Sequence, residues 1–564
     1  MIKSFADYPI IDGQNKYVSA ILGYNGLSAI GDLENKYASF DTYFSTMCHL
    51  KNEDTFIEYL KNNKNKKYCV IGDYDCDGIM ATAIITYALT LCGYSVTFNI
   101  PNRFDDGYGM HKRQIDIAVA NGAEVIITVD NGICTNDVID YAHQKGLYVI
   151  ITDHHLPQGI NNGDIVINPH YNNDSYTGIS GAEVAMKLVY QMYLNLVGID
   201  RYMMYNFATM AFFTVYSDVM PMLNENRDLT RAAFRFIDEQ INNENSFIFR
   251  LAHMLYFYDP KCKSDPSLRL PSLLRHFNKE NIEFYVIPII NACNRVIGDV
   301  NDLVYDIMSL FASPYIGDEK LYYNINLKRK YMQSELDSVY NKNKNNNYAA
   351  VVDVLKPEDW DTNYSGIVGL VASSVVEKEN KPALIGIDVE NDDDIVRFSG
   401  RSIPGFNLYE ALEEIKKENP TLSLQFGGHS DALGASCKKR DIDIIRKKLS
   451  EKVQNIELAT IDQTYISINN EKVDNVINAY FTLWPYGNSF QFPKLHLKSK
   501  IKYLSKQDYT FTVQNMPIPI KFFTKDEKEK VADYAFNHRD IEMEMFLSMI
   551  EDKNGVMLKL EKLL

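Results

Sequence analysis

Three aspartates alternate in the heptapeptide Gly72-Asp73-Tyr74-Asp75-Cys76-Asp77-Gly78. Carboxylates this close repel one another unless a cation lies between them. Three further groups follow along the chain: Asp130-Asn131-Gly132, Asp153-His154-His155, and Asp218 within Thr214-Val215-Tyr216-Ser217-Asp218-Val219. Each comes just after a run of apolar residues. Carboxylate oxygen with imidazole nitrogen suits Mn²⁺ or Mg²⁺, and without a matched thiolate cluster a structural zinc site is less apt. Aspartates shared between two ions would hold them ~3.5–4 Å apart, the usual two-metal geometry for phosphoester cleavage.

Blander readings exist for each piece. The alternating aspartates also resemble the start of a calcium loop, but Ile84 and Ile85 stand where such a loop needs a glutamate. An aspartate after a strand is often a helix cap, which would serve for Asp130 or Asp153 alone. A lone histidine is usually structural. Caps and structural histidines do not account for three acidic clusters and a histidine pair arriving together.

The elements that must position these groups alternate. Short β-branched runs at Tyr68–Ile71, Val96–Ile100, Val125–Val129, Tyr148–Ile151 and Ile165–Ile167 read as strands buried on both faces. Amphipathic stretches at Ile79–Leu91, His111–Ala120 and Asn136–Lys145 read as the helices between them. This pattern predicts an α/β doubly wound parallel sheet. Ligands of such sheets bind at the carboxyl ends of the strands, which is where the acidic groups fall.

Beyond Gly181 the pattern is mostly helical to about Phe311, and Tyr322–Tyr340 reads as a long polar helix leading into the run 341–347, NKNKNNN. Helix and run read as an inter-domain connection, with Lys328-Arg329-Lys330 as a solvated charge run. A second α/β unit begins at Tyr348, with strands Ala349–Val354, Ala383–Ile387 and Ile395–Ser399 and a helix around Gly366–Glu379. The remainder, with runs such as Thr464–Ile468, Leu495–Ile501, Tyr509–Val513 and Ile518–Phe523, suggests a small β-barrel or sandwich. The expected division is 1–315, 316–347, 348–455 and 456–564.

Composition sets wide bounds. The 564 residues carry 58 Lys+Arg against 74 Asp+Glu, a formal net charge of −16, with 46% hydrophobic and 23% charged residues. That excludes a disordered chain, a collagen and a small disulfide scaffold. The acidic balance argues against indiscriminate nucleic-acid binding, while leaving room for a local basic groove. The eight cysteines form no CxxC pair and read as reduced thiols of a cytosolic protein. The N-terminus lacks the apolar core of a signal peptide, and no apolar run nears the ~20 residues that span a bilayer.

The motifs GDYDCDG, TVDNG, ITDHHLP and SDVMPM match, in order, those of the DHH phosphoesterase superfamily. More closely, the chain resembles the RecJ family of single-strand-specific 5′→3′ exonucleases. That likeness rests also on Arg103-Phe104-Asp105-Asp106-Gly107-Tyr108-Gly109, Asn291-Ala292-Cys293-Asn294-Arg295, Gly400-Arg401-Ser402-Ile403-Pro404-Gly405 and Phe426-Gly427-Gly428-His429. It covers about Lys67 to Ser436 well and continues weakly through Trp484-Pro485-Tyr486-Gly487-Asn488.

The resemblance implies a Rossmann-like DHH domain, a linker helix, a second α/β DHH-associated domain and a C-terminal β-rich, OB-like domain. It implies two Mn²⁺ or Mg²⁺ ions held by Asp75, Asp77, Asp130, His154 and Asp218. Asp73, Asp153 and His155 would complete the catalytic group. Arg103, Tyr108, Arg295, Ser399, Arg401, Ser402 and His429 would bind substrate, Arg401 and Arg295 taking the terminal 5′-phosphate through bidentate contacts. Alone, Arg401 would read as a surface ion pair. For the stretch Lys494, His496, Lys498, Lys500, Lys502, Tyr503 and Lys506, two readings stand: a solvated strand face, or a path for a single strand.

The implied activity is release of 5′-mononucleotides from single-stranded DNA in recombination and repair. The implied partner is a single-stranded-DNA-binding protein. A monomer is expected, with no membrane association, in the cytoplasm of a bacterial or phage-infected cell; the Lys- and Asn-rich composition looks AT-rich. The alternatives are a DHH phosphoesterase of short oligonucleotides or cyclic dinucleotides, and a non-catalytic replication scaffold. Retained aspartates speak against the scaffold, and the further ~100 residues, about one domain, against the small-substrate enzyme. Four positions depart from the family: Tyr364 for a usual His, Ser374 for a frequent Arg, and Ile289 and Asn294 for a typical Arg and Gly.

Overall fold

The computed structural model describes all residues except 34–37, 257–278, 280–281, 319, 345–346, 358–362, 389–393, 429, 455–463, 506–508, 515, 523–524, 538–540, 553–554 and 564. Cys262, His429 and Lys506 lie outside the described residues. The other seven cysteines are free thiols. Among the described residues no helix is long and apolar enough to cross a membrane.

A short strand β1 (Ile2–Lys3) opens the chain, and its partner comes much later. The first sheet is built from β2 (Lys67–Ile71), β3 (Ser95–Asn99), β4 (Val125–Val129), β5 (Tyr148–Thr152) and β6 (Ile165–Ile167). All its pairings are parallel, in the order β3-β2-β4-β5-β6. The five apolar runs read from the sequence are these five strands, to within a residue at each end.

Burial on both faces explains why the strands are apolar without interruption. Tyr68, Val70, Ile127 and Val129 face one core, with the helices Cys76–Leu91, Gly181–Asn195 and Arg201–Ser217. Cys69, Ile71, Ile126 and Ile151 face a second, smaller core with Ile115, Ala118, Ile139 and Ala142. The helix Cys76–Leu91 is buried on nearly every side, so its sequence shows little amphipathicity. The strand order reverses between β2 and β4, so their carboxyl ends open a crevice. Asn131 pins its floor, donating to the carbonyls of Ile71 (3.1 Å) and Val129 (2.9 Å).

The helix Leu321–Asn343 is not a solvated linker. Tyr322 and Ile325 are buried in the first core, while Met332, Leu336 and Tyr340 are buried with the second α/β unit. It therefore works as a strut with an end in each core. Tyr364, one of the departures from the family, is buried and donates its hydroxyl to Glu335 of this helix (2.5 Å).

The second unit has β7 (Val351–Leu355), β8 (Ala383–Ile387), β9 (Ile395–Arg401), β10 (Gln425–Gly428) and β11 (Ala432–Lys438), ordered β10-β11-β9-β8-β7. Only β7 and β8 pair in parallel; β9, β10 and β11 are antiparallel.

The C-terminal region is strand-rich, as expected. It contains β12 (Tyr465–Ser467), β13 (Lys494–Ser499), β14 (Ile501–Ser505), β15 (Thr510–Val513), β16 (Met516–Lys521), β17 (Met543–Asp552) and β18 (Gly555–Leu563). With β1 they make one eight-stranded sheet, ordered β1-β12-β13-β17-β18-β16-β15-β14.

The basic stretch needs correction here. The run Leu495–Ile501 breaks at Lys500, and its halves, β13 and β14, stand far apart in the sheet. His496 is buried against Glu544 (2.8 Å), and Lys498 pairs with the same carboxylate (3.1 Å). The stretch is not one continuous charged face, because a strand ends within it.

Candidate active site and metal centre

The loop after β2 enters the helix Cys76–Leu91 through Asp75, whose Oδ1 accepts the amides of Asp77 (3.0 Å) and Gly78 (3.2 Å). The helix cap is thus Asp75, rather than Asp130 or Asp153 as the bland reading had it, and its other oxygen stays available. Asp77 turns toward the start of the helix Gly181–Asn195. Its carboxylate accepts the Gly181 amide at 2.7 Å and the Ala182 amide at 2.8 Å. A helix N-terminus is a natural seat for a carboxylate.

Asp130 ends β4 in the left-handed region (φ 59°), which a short polar side chain tolerates. Gly181 lies against it: a Cβ there would come within 2.6 Å of the Asp130 side chain. Only glycine lets the helix deliver its amides to Asp77 while Asp130 passes beside it.

Asp153 ends β5, and both its oxygens are taken up locally. Oδ1 accepts the amides of His154 (2.7 Å) and His155 (3.1 Å) and bonds His155 Nδ1 (2.8 Å). Oδ2 accepts the Ile133 amide (3.0 Å). Asp153 therefore fixes the His155 imidazole directly and the His154 backbone beside it. On the far side, His155 Nε2 meets the Tyr108 hydroxyl at 3.0 Å.

Asp218 caps the C-terminal end of the helix Arg201–Ser217 rather than a strand. His154 Nε2 lies 3.2 Å from Asp130 Oδ1, 3.4 Å from Asp218 Oδ2 and 3.7 Å from Asp77 Oδ2. Three overlapping groups have donor atoms close enough for one ion: Asp73-Asp75-Asp130, Asp77-His154-Asp218 and Asp130-His154-His155. Asp130 belongs to two of them.

The electrostatics ask for cations. Burial, then neighbouring carboxylates, pushes Asp73, Asp77 and Asp130 well above the usual carboxylate range. Burial first raises Asp218 as well. Burial would raise Asp153 too, but its hydrogen bond to His155 and the charges of both histidines hold it below the ordinary value. Burial lowers His154. Burial also opposes charge on His155, yet Asp153 outweighs it and lifts the imidazole to about 9. Asp73 Oδ1, Asp130 Oδ1 and His154 Nε2 are buried without a hydrogen-bond partner. Orphaned atoms of this kind, in a hard oxygen and imidazole donor set, fit Mn²⁺ or Mg²⁺.

Beside Asp75 lies a group of guanidiniums. Burial and then the charges of Arg103, Arg329 and Arg401 lower Arg295 to about 10. Burial and then Arg103 lower Arg401. Among the described residues no carboxylate forms an ion pair with Arg103, Arg295, Arg329 or Arg401. Arg401 and Ser399 point to one place, the helix start at Gly369: a Cβ there would lie 3.1 Å from Arg401 Nη2 and 3.6 Å from Ser399 Oγ. Ser402 is not with them, because its hydroxyl donates to the Phe406 carbonyl within a turn (2.6 Å). The two domains touch here, since Gly366 sits against the Arg295 carbonyl, 2.3 Å from where a Cβ would be.

The structure adds residues that the sequence reading had not singled out for a role. Asn291 Oδ1 accepts the Cys76 amide (3.0 Å). Asn294 donates to the Tyr74 carbonyl (2.8 Å) and accepts from Arg103 (3.1 Å), which lies over the Tyr74 ring. The departure at Asn294 thus pins the aspartate loop to the arginine group. Arg329, read as solvated, is partly buried and faces Arg295.

Comparison with known proteins agrees with this geometry. The model of the DHH family N-terminal domain matches residues 67–212, and that of the DHHA1 domain matches 346–455. The single-stranded-DNA-specific exonuclease RecJ of Dickeya dadantii is 29% identical over 416 residues, 69% of this chain and 66% of that protein. The chain is similar to RecJ exonucleases through its DHH and DHHA1 regions. Its aligned part spans just under two thirds of that relative's length. A putative single-strand DNA-specific exonuclease of a Bacillus subtilis prophage is 26% identical over 503 residues, covering 80% of this chain and 77% of the relative. The fold matches RecJ of Thermus thermophilus, solved in complex with Mn²⁺, with a TM-score of 0.72 at 18% identity, over 97% of this chain and 76% of that one.

Proposed function

We propose that this chain is a metal-dependent exonuclease that hydrolyses single-stranded DNA from the 5′ end to 5′-mononucleotides, in recombination and repair. The observation that carries this is one adjacency. A cluster of cation-demanding carboxylates lies beside four arginines that no described carboxylate pairs. Asp73, Asp75 and Asp130 would hold one Mn²⁺ or Mg²⁺, and Asp77, His154 and Asp218 the second, with Asp130 placed to be shared. Ions held there would supply a water of lowered pKa and would neutralise charge building on the scissile phosphate.

The chain's own residues do the rest. Asp153 orients His155 through Nδ1, and Nε2, which meets the Tyr108 hydroxyl, is the nitrogen that would turn to a phosphate oxygen when substrate displaces that contact. Arg295, Arg401, Ser399 and Arg103 bind the terminal 5′-phosphate, and Asn294 holds that group at a set distance from Asp75. A guanidinium pocket of this kind selects a chain end, because only there does phosphate carry its extra charge. His429 and Ser402 complete the substrate-binding set, Ser402 by shaping the turn after Arg401. The RecJ relatives and the motifs support this reading. We propose the division 1–315, 316–347, 348–455 and 456–564, an OB-like role for the last part, and a monomer in the cytoplasm working beside a single-stranded-DNA-binding protein.

Labelled oligonucleotides test it. With Mn²⁺ or Mg²⁺, 5′-phosphorylated single-stranded DNA should release mononucleotides at once from the 5′ end, duplex should resist, and EDTA should stop the reaction. Cleavage of a dinucleotide alone would move the chain to the small-substrate branch. No metal-dependent cleavage of DNA, RNA or dinucleotide would favour a scaffold.

A further inference from the structure

The loop that follows Asp218 is held by the distant segment 485–488. Val219 adopts φ 53°, a left-handed conformation that a β-branched residue enters only when its surroundings impose it. Asn488 Nδ2 donates to the Val219 carbonyl at 2.7 Å. The Asn488 carbonyl accepts the Met222 amide at 2.7 Å, and Asn488 bridges to Pro221. Other ties act on the loop: Val219 donates to the Tyr216 carbonyl (3.3 Å), Met220 to the Val215 carbonyl (2.9 Å), and Leu223 and Asn226 to the Pro221 carbonyl (2.8 and 2.9 Å). None of these reaches the Val219 carbonyl.

The segment itself is anchored. Arg227 is buried and donates to the carbonyls of Pro485 (2.6 Å) and Leu483 (2.9 Å), with its guanidinium 4.8 Å above the Phe490 ring. Asn488 is exposed at the end of this anchored segment. Its amide therefore transmits the position of the C-terminal region to the Val219–Met220 peptide unit, one residue beyond Asp218, whose carboxylate stands 3.4 Å from His154.

We propose that Asn488 is a positioning residue for Asp218, so that the C-terminal region sets metal affinity as well as meeting the nucleic acid. This rests on the reading of Asp218 as a metal ligand. Partners that orient ligands are commonly worth about 10-fold or more in metal affinity, and Asn488 acts one peptide further out.

The test is Mn²⁺ binding to the full chain, without DNA, by isothermal titration calorimetry and by the electron paramagnetic resonance signal of free Mn²⁺. Asn488→Ala should weaken one Mn²⁺ by about three- to tenfold, as expected for one lost hydrogen bond. Thermal stability in EDTA should not change, since the side chain is exposed. Asn488→Gln keeps the amide donor and should recover at least part of the affinity. At saturating Mn²⁺ the KM for single-stranded DNA should match wild type. Wild-type affinity in Asn488→Ala would overturn the proposal, and so would equal loss in both variants, since the donor would then not be the device. Wild-type protein that binds no Mn²⁺ would instead overturn the functional reading, and this inference with it.

Discussion

His154 Nε2 stands 3.2 Å from Asp130 Oδ1, and neither buried atom has a hydrogen-bond partner. Burial pushes the imidazole toward its neutral form and the carboxyl toward its protonated form. An electron pair on each atom then faces the same small space. A proton shared between them would satisfy both, but a cation does so while also answering the Asp77 and Asp218 carboxylates that face the same imidazole.

Asp130→Asn should therefore separate function from folding. We expect cleavage to fall by about a thousandfold or more, because several kcal/mol of transition-state charge stabilisation is lost. The melting temperature in EDTA should hold or rise, since a buried charge beside like charges has gone. A wild-type rate in oligonucleotide cleavage would contradict the metal-site reading.

Arg401→Ala should reduce the preference for a 5′-phosphate over a 5′-hydroxyl end by about 10- to 100-fold, the value of charged hydrogen bonds. Mn²⁺ binding should stay as it was. Arg401→Lys should recover only part of the preference, as an ammonium lacks the planar fork. Competition between differently ended oligonucleotides reads this directly.

Asp153→Asn removes the charge that lifts His155 and puts an amide donor where three N–H groups now converge on Oδ1. We expect kcat to fall by about 10- to 100-fold while end preference is unchanged. A change confined to KM would show that the histidine pair only binds.

Lys187 and Glu225 form a buried ion pair at 2.5 Å, away from the arginines. Lys187→Met leaves the carboxylate alone and should cost about 3–5 kcal/mol in urea unfolding. The double variant Lys187→Met, Glu225→Met should recover most of that. If the single variant is as stable as wild type, the pair is not held as described.

Acid should loosen the loop that carries Arg103 and Tyr108. Burial would raise the Asp106 carboxyl, but the Asn102 amide and Arg113 hold it below its ordinary 3.8. The stabilisation is present in full above that value and is lost as pH falls through the lower, folded one. Amide exchange in 102–114 should rise over that window in wild type. In Asp106→Asn it should be high already at neutral pH and should not rise further.

Much of this protein was legible residue by residue. Buried parallel strands must be apolar on both faces, so β2 to β6 stood out as unbroken runs, and the acidic groups before Asp218 fell at the ends of β2, β4 and β5. The chemistry of the motifs was equally plain, because carboxylates at alternate positions have few other uses. The C-terminal strands were partly missed: β17 and β18 were not singled out, and β1 gave no sign that it joins them, since a pairing across more than 460 residues has no local signature.

What the chain by itself determined was therefore the local order of strands, the donor atoms and the attachment of all but Asp218 to strand ends. Only the tertiary structure decided which donors meet. It turned Asp153 onto the amides of its own loop, and it made Arg329 a neighbour of Arg295 rather than a solvated charge. It buried His496, and it brought Asn488 to Val219. Each of these outcomes depends on packing between segments far apart in sequence. Hydrophobic periodicity reports only that a face is buried, not which other face covers it.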